Sequence, residues 1–180
     1  MASLGHVFVG IACAETLRHV QEKRDQAAPP RLRSWLLLGA LSLLPDADVL
    51  AFGFGVPYGA PFGHRGATHS LAFALAVSAL AYAAAPLFSY ARKAFALAVL
   101  GAVGSHGPLD MLTDGGKGIA LWWPFSAERL FFPWRPIPVA PIGAHMLSPR
   151  GAHVLLMEFV YFAPMLIAVL VVLRVRRTRQ

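Results

Sequence analysis

The sequence predicts an all-α fold, a polytopic membrane bundle of about five helices with one aromatic and proline-rich interfacial loop. Three observations predict it. Hydrophobic residues make up 57% of the 180 residues and charged residues 14%, against about 25% charged in ordinary soluble proteins. The apolar residues fall in runs separated by short basic or Gly/Pro-containing stretches, the pattern of membrane helices and their loops. The length is that of one domain, so residues 1–180 are read as a single membrane-embedded unit.

The first apolar segment runs from Leu4 to His19 and contains His6 and Glu15. No Lys or Arg precedes Arg18, so the positive start of a signal peptide is missing and residues 1–20 are expected to belong to the mature fold. The lone cysteine, Cys13, excludes an internal disulfide framework and reads as a small core residue. A basic linker from Gln21 to Arg33 leads to the second segment, Ser34 to Leu50. The third segment runs from Thr68 to Tyr90, the fourth from Lys93 to Leu112 and the fifth from Ala152 to Leu173. About 20 helical residues rise about 30 Å, the thickness of the hydrocarbon layer. The third and fifth therefore span it, while the other three are shorter or more polar and call for shelter by their neighbours. Between Thr113 and Pro149 lies the loop, with Trp122, Trp123, Phe125, Phe131, Phe132 and Trp134. Such rings favour the headgroup level, as an anchor or as a lid.

If the five segments alternate in direction, Arg18, Lys23, Arg24, Arg31, Arg33, Arg92, Lys93, Arg174, Arg176, Arg177 and Arg179 share one side. Arg65, Lys117, Arg129, Arg135 and Arg150 share the other. The positive-inside rule makes the richer side cytoplasmic. The net charge of +7 is then a topology signal, and no nucleic-acid partner is expected.

The unexpected polar residues gather on the outer side of this scheme. They are His6, Asp46 and Asp48 in LLPDADVL, His64 and His69 in GHRGATHS, His106 and Asp110 in SHGPLDMLT, and Glu158 in the fifth segment. His106 and Asp110 are four apart, which puts both on one face of a helix. Imidazole nitrogen with carboxylate oxygen is a common ligand pair for zinc and similar divalent ions. Gly107 and Pro108 disturb regular helix bonding between them. An ionisable group at membrane depth, such as Glu158, is costly and marks a function or a partner. Each of these residues alone has a structural explanation, as a core histidine, a helix cap or a turn. Their convergence points to a metal site, with Glu158 included among its ligands. Arg65 reads either as the receptor for an anionic substrate or as the salt-bridge partner of one of the aspartates. Thr68, Ser70 and Thr113 read as donors that orient ligands. His145 and His153 remain as further ligands outside any tight motif.

GHVFVGIACA, LLPDADVL, FGHRGATHSL, SHGPLDMLTDGG and LWWPFS, in that order from about Gly5 to Ser126, resemble the YdjM-like family of bacterial inner-membrane metal-dependent hydrolases, described as LexA-binding. The resemblance implies a helical inner-membrane protein with a divalent-metal hydrolase site, and supports His6, Asp46, Asp48, His64, His69, His106 and Asp110 in it. The pattern is more weakly similar to zinc-dependent phospholipase C and P1-type nucleases, but lacks their later His-x-x-x-Glu pair, since His153 and Glu158 are five apart. One or two metal ions, most simply zinc, are expected.

The expected reaction is hydrolysis of a phosphoester, with membrane lipid as partner and a lipid head group as candidate substrate. Arg65 and His69 are expected at the reacting centre, and Asp48, or another carboxylate that does not hold the metal, as general base. Two competing readings are an ion-handling transporter and a polar cluster that fixes helix packing without catalysis. The apolar inner halves of the third and fifth segments argue against a polar path across the membrane.

Overall fold

The computed structural model describes residues 3–178; Arg179, counted above with the basic side, lies outside them. Helix α1 is Ser3–Glu22, α2 Arg31–Ser42, α3 Leu71–Ala84, α4 Arg92–Gly104, α5 His106–Asp110 and α6 Pro149–Thr178. Among the described residues the other regular elements are 3-10 turns, and two isolated bridges are the only β pairing. The all-helical expectation holds.

Two elements are long and apolar enough to cross a membrane, Leu71–Phe88 and α6. A third span is available if α2 and the 3-10 stretch Leu44–Phe54, bent by 47°, act together. The predicted second segment thus starts earlier and ends differently. Leu44–Phe54 is 3-10 rather than α-helix, and Pro45 stands at its start, where a residue without an N–H does least harm. The predicted fourth segment is interrupted after Gly104. Pro108 has no N–H to return to the Gly104 carbonyl, so α5 begins as a separate short helix.

Helix α1 sits centrally and packs against α2, α4 and α6. That is the shelter its polar residues need. At one end Glu15, 1% exposed, accepts from Arg31 Nε at 2.5 Å and from Trp35 Nε1 at 2.7 Å. This ties α1 to α2, and the second oxygen lies 3.7 Å from Arg177 of α6. At the other end His6 enters the polar cluster described below.

The α1–α2 crossing rests on Gly10. A Cβ placed there would come within 2.5 Å of the Leu38 carbonyl oxygen and 2.9 Å of Gly39 Cα. Small residues permit this approach where lipid offers no hydrophobic drive between helices. Gly10→Ala must therefore push backbone against backbone. Its expected cost is about 1–3 kcal/mol, the usual range for overpacking, read as a lowered Tm in detergent. An unchanged Tm would mean that the helices part freely at this point.

Candidate metal centre

Five elements deliver the polar residues to one end of the bundle. His6 comes from the first turns of α1, Asp46 and Asp48 from the 3-10 stretch after α2, and His64 and Arg65 from the turn that follows. His69 ends the 3-10 turn Ala67–His69, and His106 and Asp110 flank α5. All are buried. The local reasons are visible. The Ser70 side chain accepts from Phe73 N and starts α3, which fixes His69 just outside the helix. Gly107 lets α5 close on that turn, because a Cβ there would lie 2.5 Å from the His69 carbonyl oxygen. The His69 and His106 rings then meet edge to face with centroids 4.7 Å apart.

Asp46, His69, His106 and Asp110 form one group whose ligand atoms all lie within 4.8 Å of one another. The histidine tautomers follow from their outer partners. His106 Nδ1 is 2.7 Å from the Ser42 carbonyl oxygen. A carbonyl only accepts, so Nδ1 carries the proton and Nε2 presents a lone pair. His69 Nδ1 is 3.1 Å from Thr68 Oγ1, whose own proton goes to Asp48, so Nδ1 donates and the lone pair of Nε2 likewise turns inward. Both Nε2 atoms are 3.4 Å from Asp46 Oδ1. In the neutral rings these are lone pairs directed at a carboxylate, and 3.4 Å exceeds the roughly 2.7–2.9 Å of a charge-assisted hydrogen bond. The two Nε2 atoms and both Asp46 oxygens are buried without a hydrogen-bond partner among the described residues.

Such an arrangement asks for a cation. Two imidazole nitrogens and two carboxylates are a donor set that divalent metals accept, and the group can bind one. Without it a proton is the substitute. Burial opposes charge on the His69 imidazole, but the neighbouring carboxylates of Asp46, Asp48 and Asp110 outweigh burial and hold its pKa above the usual value.

A second group, Asp48, His64 and His69, also satisfies the distance requirement, but its atoms are already engaged with one another. The Asp48 carboxylate takes the Nδ1 proton of His64 at 2.6 Å and lies 3.2 Å from His69 Nδ1, whose own hydrogen bond goes to Thr68 Oγ1 at 3.1 Å. It also accepts from the Arg65 amide at 3.1 Å and the Thr68 hydroxyl at 2.7 Å. Three donors and the adjacent His69 ring occupy most of the roughly four lone-pair positions of a carboxylate. Asp48 thus orients two histidines, and its saturation argues against the general-base role expected from the sequence.

The structure places the remaining expected residues variously. His6 stacks on His106 with centroids 3.6 Å apart, and its Nε2 is 3.3 Å from Asp110 Oδ1. It lies beside the four-residue group rather than in it. Of the two readings for Arg65, the geometry gives the salt bridge. Its side chain is 0% exposed, with Nε 3.2 Å from Asp110 Oδ2. Glu158 joins neither group. Its Oε2 accepts from the backbone N–H of Leu4 at 2.6 Å and of Gly5 at 3.2 Å, which caps α1 from across the bundle. His145 and His153 are exposed and in neither group.

The loop after α5 closes over this end. Its Ala120 amide bonds the Arg65 carbonyl, and the Leu71 amide bonds Leu121 of the loop. The Arg129 guanidinium reaches the carbonyls of Tyr58, Ala60, His64 and Gly118 at 3.1 to 3.4 Å. Sequence reasoning gave Arg129 only a place on the outer side and assigned nothing to Tyr58 or the Ser42 carbonyl. Tyr58, whose ring centroid is 5.0 Å from that of His64, has its pKa raised by burial. A backbone carbonyl carries no sequence signal, but an arginine amid aromatics in the longest loop was available as one. Around the site Phe54, Phe62, Trp122, Phe125 and Trp134 are exposed, as an interfacial belt requires.

The sequence model of a family described as YdjM inner membrane protein matches residues 1–180. Among curated proteins, the chain is 44% identical over 140 residues to inner membrane protein YbcI of Escherichia coli (strain K12). That match covers 76% of this chain and 79% of the relative. No solved structure matches the chain. A match along the whole length, on a helical chain with an exposed aromatic rim, leaves one conclusion: the protein belongs to the YdjM family of inner membrane proteins.

Proposed function

We propose that this protein is a multi-pass inner-membrane hydrolase that holds one divalent cation among Asp46, His69, His106 and Asp110 and acts on a phosphoester, such as a lipid head group. The observation that carries the reading is the set of inward lone pairs on His69 Nε2, His106 Nε2 and Asp46, buried and without hydrogen-bond partners. Zinc suits two nitrogen and two oxygen donors. One ion is the proposed count, because the atoms of the second group already satisfy each other. When bound, the cation supplies stabilisation of developing negative charge and acidifies water within its reach.

The chain's own residues do the rest. Ser42 and Asp48 hold the two ligand imidazoles in one tautomer and orientation, the outer-shell role that metal-binding histidines depend on. Arg65 fixes Asp110. His64 is the proposed proton acceptor in place of Asp48, since Asp48 binds its Nδ1 proton and leaves Nε2 as a base. Its ring is 5.4 Å from that of His69, centroid to centroid. The aromatic rim supports a substrate at headgroup depth. The charge asymmetry between the two sides supports an orientation with the arginine-rich end in the cytoplasm and the metal centre outside.

The test is an assay of the purified, metal-loaded protein against phospholipids and a generic phosphodiester. Cleavage should occur, and His64→Ala should lower kcat by roughly 100-fold or more, the weight of a general base, with metal content retained. If the loaded protein cleaves none of these substrates, the hydrolase reading fails while the metal centre stands.

A further inference from the structure

Away from the metal centre, an apolar groove of about 490 Å³ runs between α1, α4 and α6, and its walls include Val9, Cys13 and Val20, Leu97, and Met165 and Val169. Its volume lies within the roughly 300–1,000 Å³ of small-molecule sites. Along α1 it extends from Val9 to Val20, about 17 Å at the helical rise, and reaches Arg24 just beyond the helix end, a span close to that of a fatty acyl chain. Arg24 and Lys93 line the same groove, and both are exposed.

These are the two cations of this end that line the groove, and several of the cations around them are engaged elsewhere. Arg18 and Arg177 pair with Glu22, and Arg31 pairs with Glu15. Arg33 lies over the Phe88 ring and Arg92 over the Tyr82 ring. Among the described residues neither Arg24 nor Lys93 has a carboxylate or ring partner. Lys93 also stands in the first turn of α4, whose N-cap, Ala91, gives no side-chain cap. The free N–H groups and positive dipole end there favour an anion.

We infer that the groove binds an anionic glycerophospholipid, with one acyl chain against α1, α4 and α6 and its phosphate held by Arg24 and Lys93. In a bilayer, bulk lipid is as apolar as the groove walls, so the chain alone selects nothing. Selection comes from the head group, and two juxtamembrane cations together make it worth roughly ten-fold or more in affinity. The site does not rest on the metal centre.

Native mass spectrometry of the delipidated full chain in detergent, titrated with phosphatidylglycerol or phosphatidylcholine, tests this. Phosphatidylglycerol should bind at least about ten-fold more tightly. The variant carrying both Arg24→Ala and Lys93→Ala, two exposed and unpaired positions, should bind the two lipids alike. Cys13, the chain's one cysteine, reports on the groove directly. Phosphatidylglycerol should slow its alkylation by a lipophilic maleimide in the wild type and not in the double variant. Equal binding of both lipids by the wild type, or unchanged phosphatidylglycerol affinity and Cys13 protection in the double variant, would overturn the inference.

Discussion

Replacing His106 with alanine is expected to strip divalent metal from the purified protein. The His106 imidazole is held by the Ser42 carbonyl, so its Nε2 lone pair has one direction to point, into the group with Asp46, His69 and Asp110. Loss of an outer-shell partner costs metal sites roughly 10–100-fold in affinity, and loss of a ligand should cost more. Asp48→Asn is the matched comparison. It keeps the volume but replaces an acceptor that takes three donors and faces His69, and should fall within that outer-shell range. Metal analysis and calorimetric titration of the three proteins read both effects. Metal also links to stability. At a free concentration of about a thousand times Kd it should stabilise the wild type by about 4 kcal/mol, and His106→Ala not at all. A wild type that binds no stoichiometric divalent ion, or a His106→Ala protein that keeps it, would remove the basis of the site.

Much of this site was legible because it obeys local rules. His106 and Asp110 are one helical turn apart, and α5 puts them in one group. The alternation of helix directions is a global rule that hydropathy carries, and it brought His6, the Asp46/Asp48 pair, His64 and His69 to the same end. What was not legible depends on contacts between distant segments. Glu158 was expected as a ligand because an acid in an apolar helix needs a partner. Its partner proves to be the start of α1, more than 150 residues away, where no acidic residue stands in the first turn. The rule held and the identity of the partner did not follow from it. Asp48 was assigned to the metal and to proton transfer because a carboxylate in Asp-x-Asp can do either. Only the three converging donors, with the His69 ring beside them, set it in an orienting role. The 3-10 geometry of Leu44–Phe54 escaped for a similar reason, since an apolar run after Pro45 fits either helix type.

Arg65→Met should destabilise the metal-free protein more than any surface change. The guanidinium is fully buried, donates from Nη1 to the Gly115 carbonyl at 2.7 Å and from Nη2 to the Thr113 hydroxyl at 2.9 Å, and lies beside Asp110. Removing one member of a buried ion pair costs about 3–5 kcal/mol, because the other charge stays behind. An opposing term exists. Arg65 has φ 64, a left-handed conformation worth roughly 1–2 kcal/mol of strain in a residue with a Cβ. Methionine keeps that strain and glycine would relieve it, so Arg65→Gly should be the milder substitution on this account yet still a net loss, since the ion pair outweighs the backbone. Arg65→Lys retains the charge but cannot donate to Gly115 and Thr113 in a fixed fork, which places it between the wild type and methionine. Unfolding in detergent with chelator present ranks the three. Added divalent metal should then restore part of the loss in Arg65→Met, because a cation between Asp46 and Asp110 takes over the neutralisation that the guanidinium provided. A difference below about 1 kcal/mol in chelator, the scale of an exposed ion pair, would mean that Arg65 is solvated rather than locked to Asp110. The reading of Arg65 as an open receptor for substrate anions would then return.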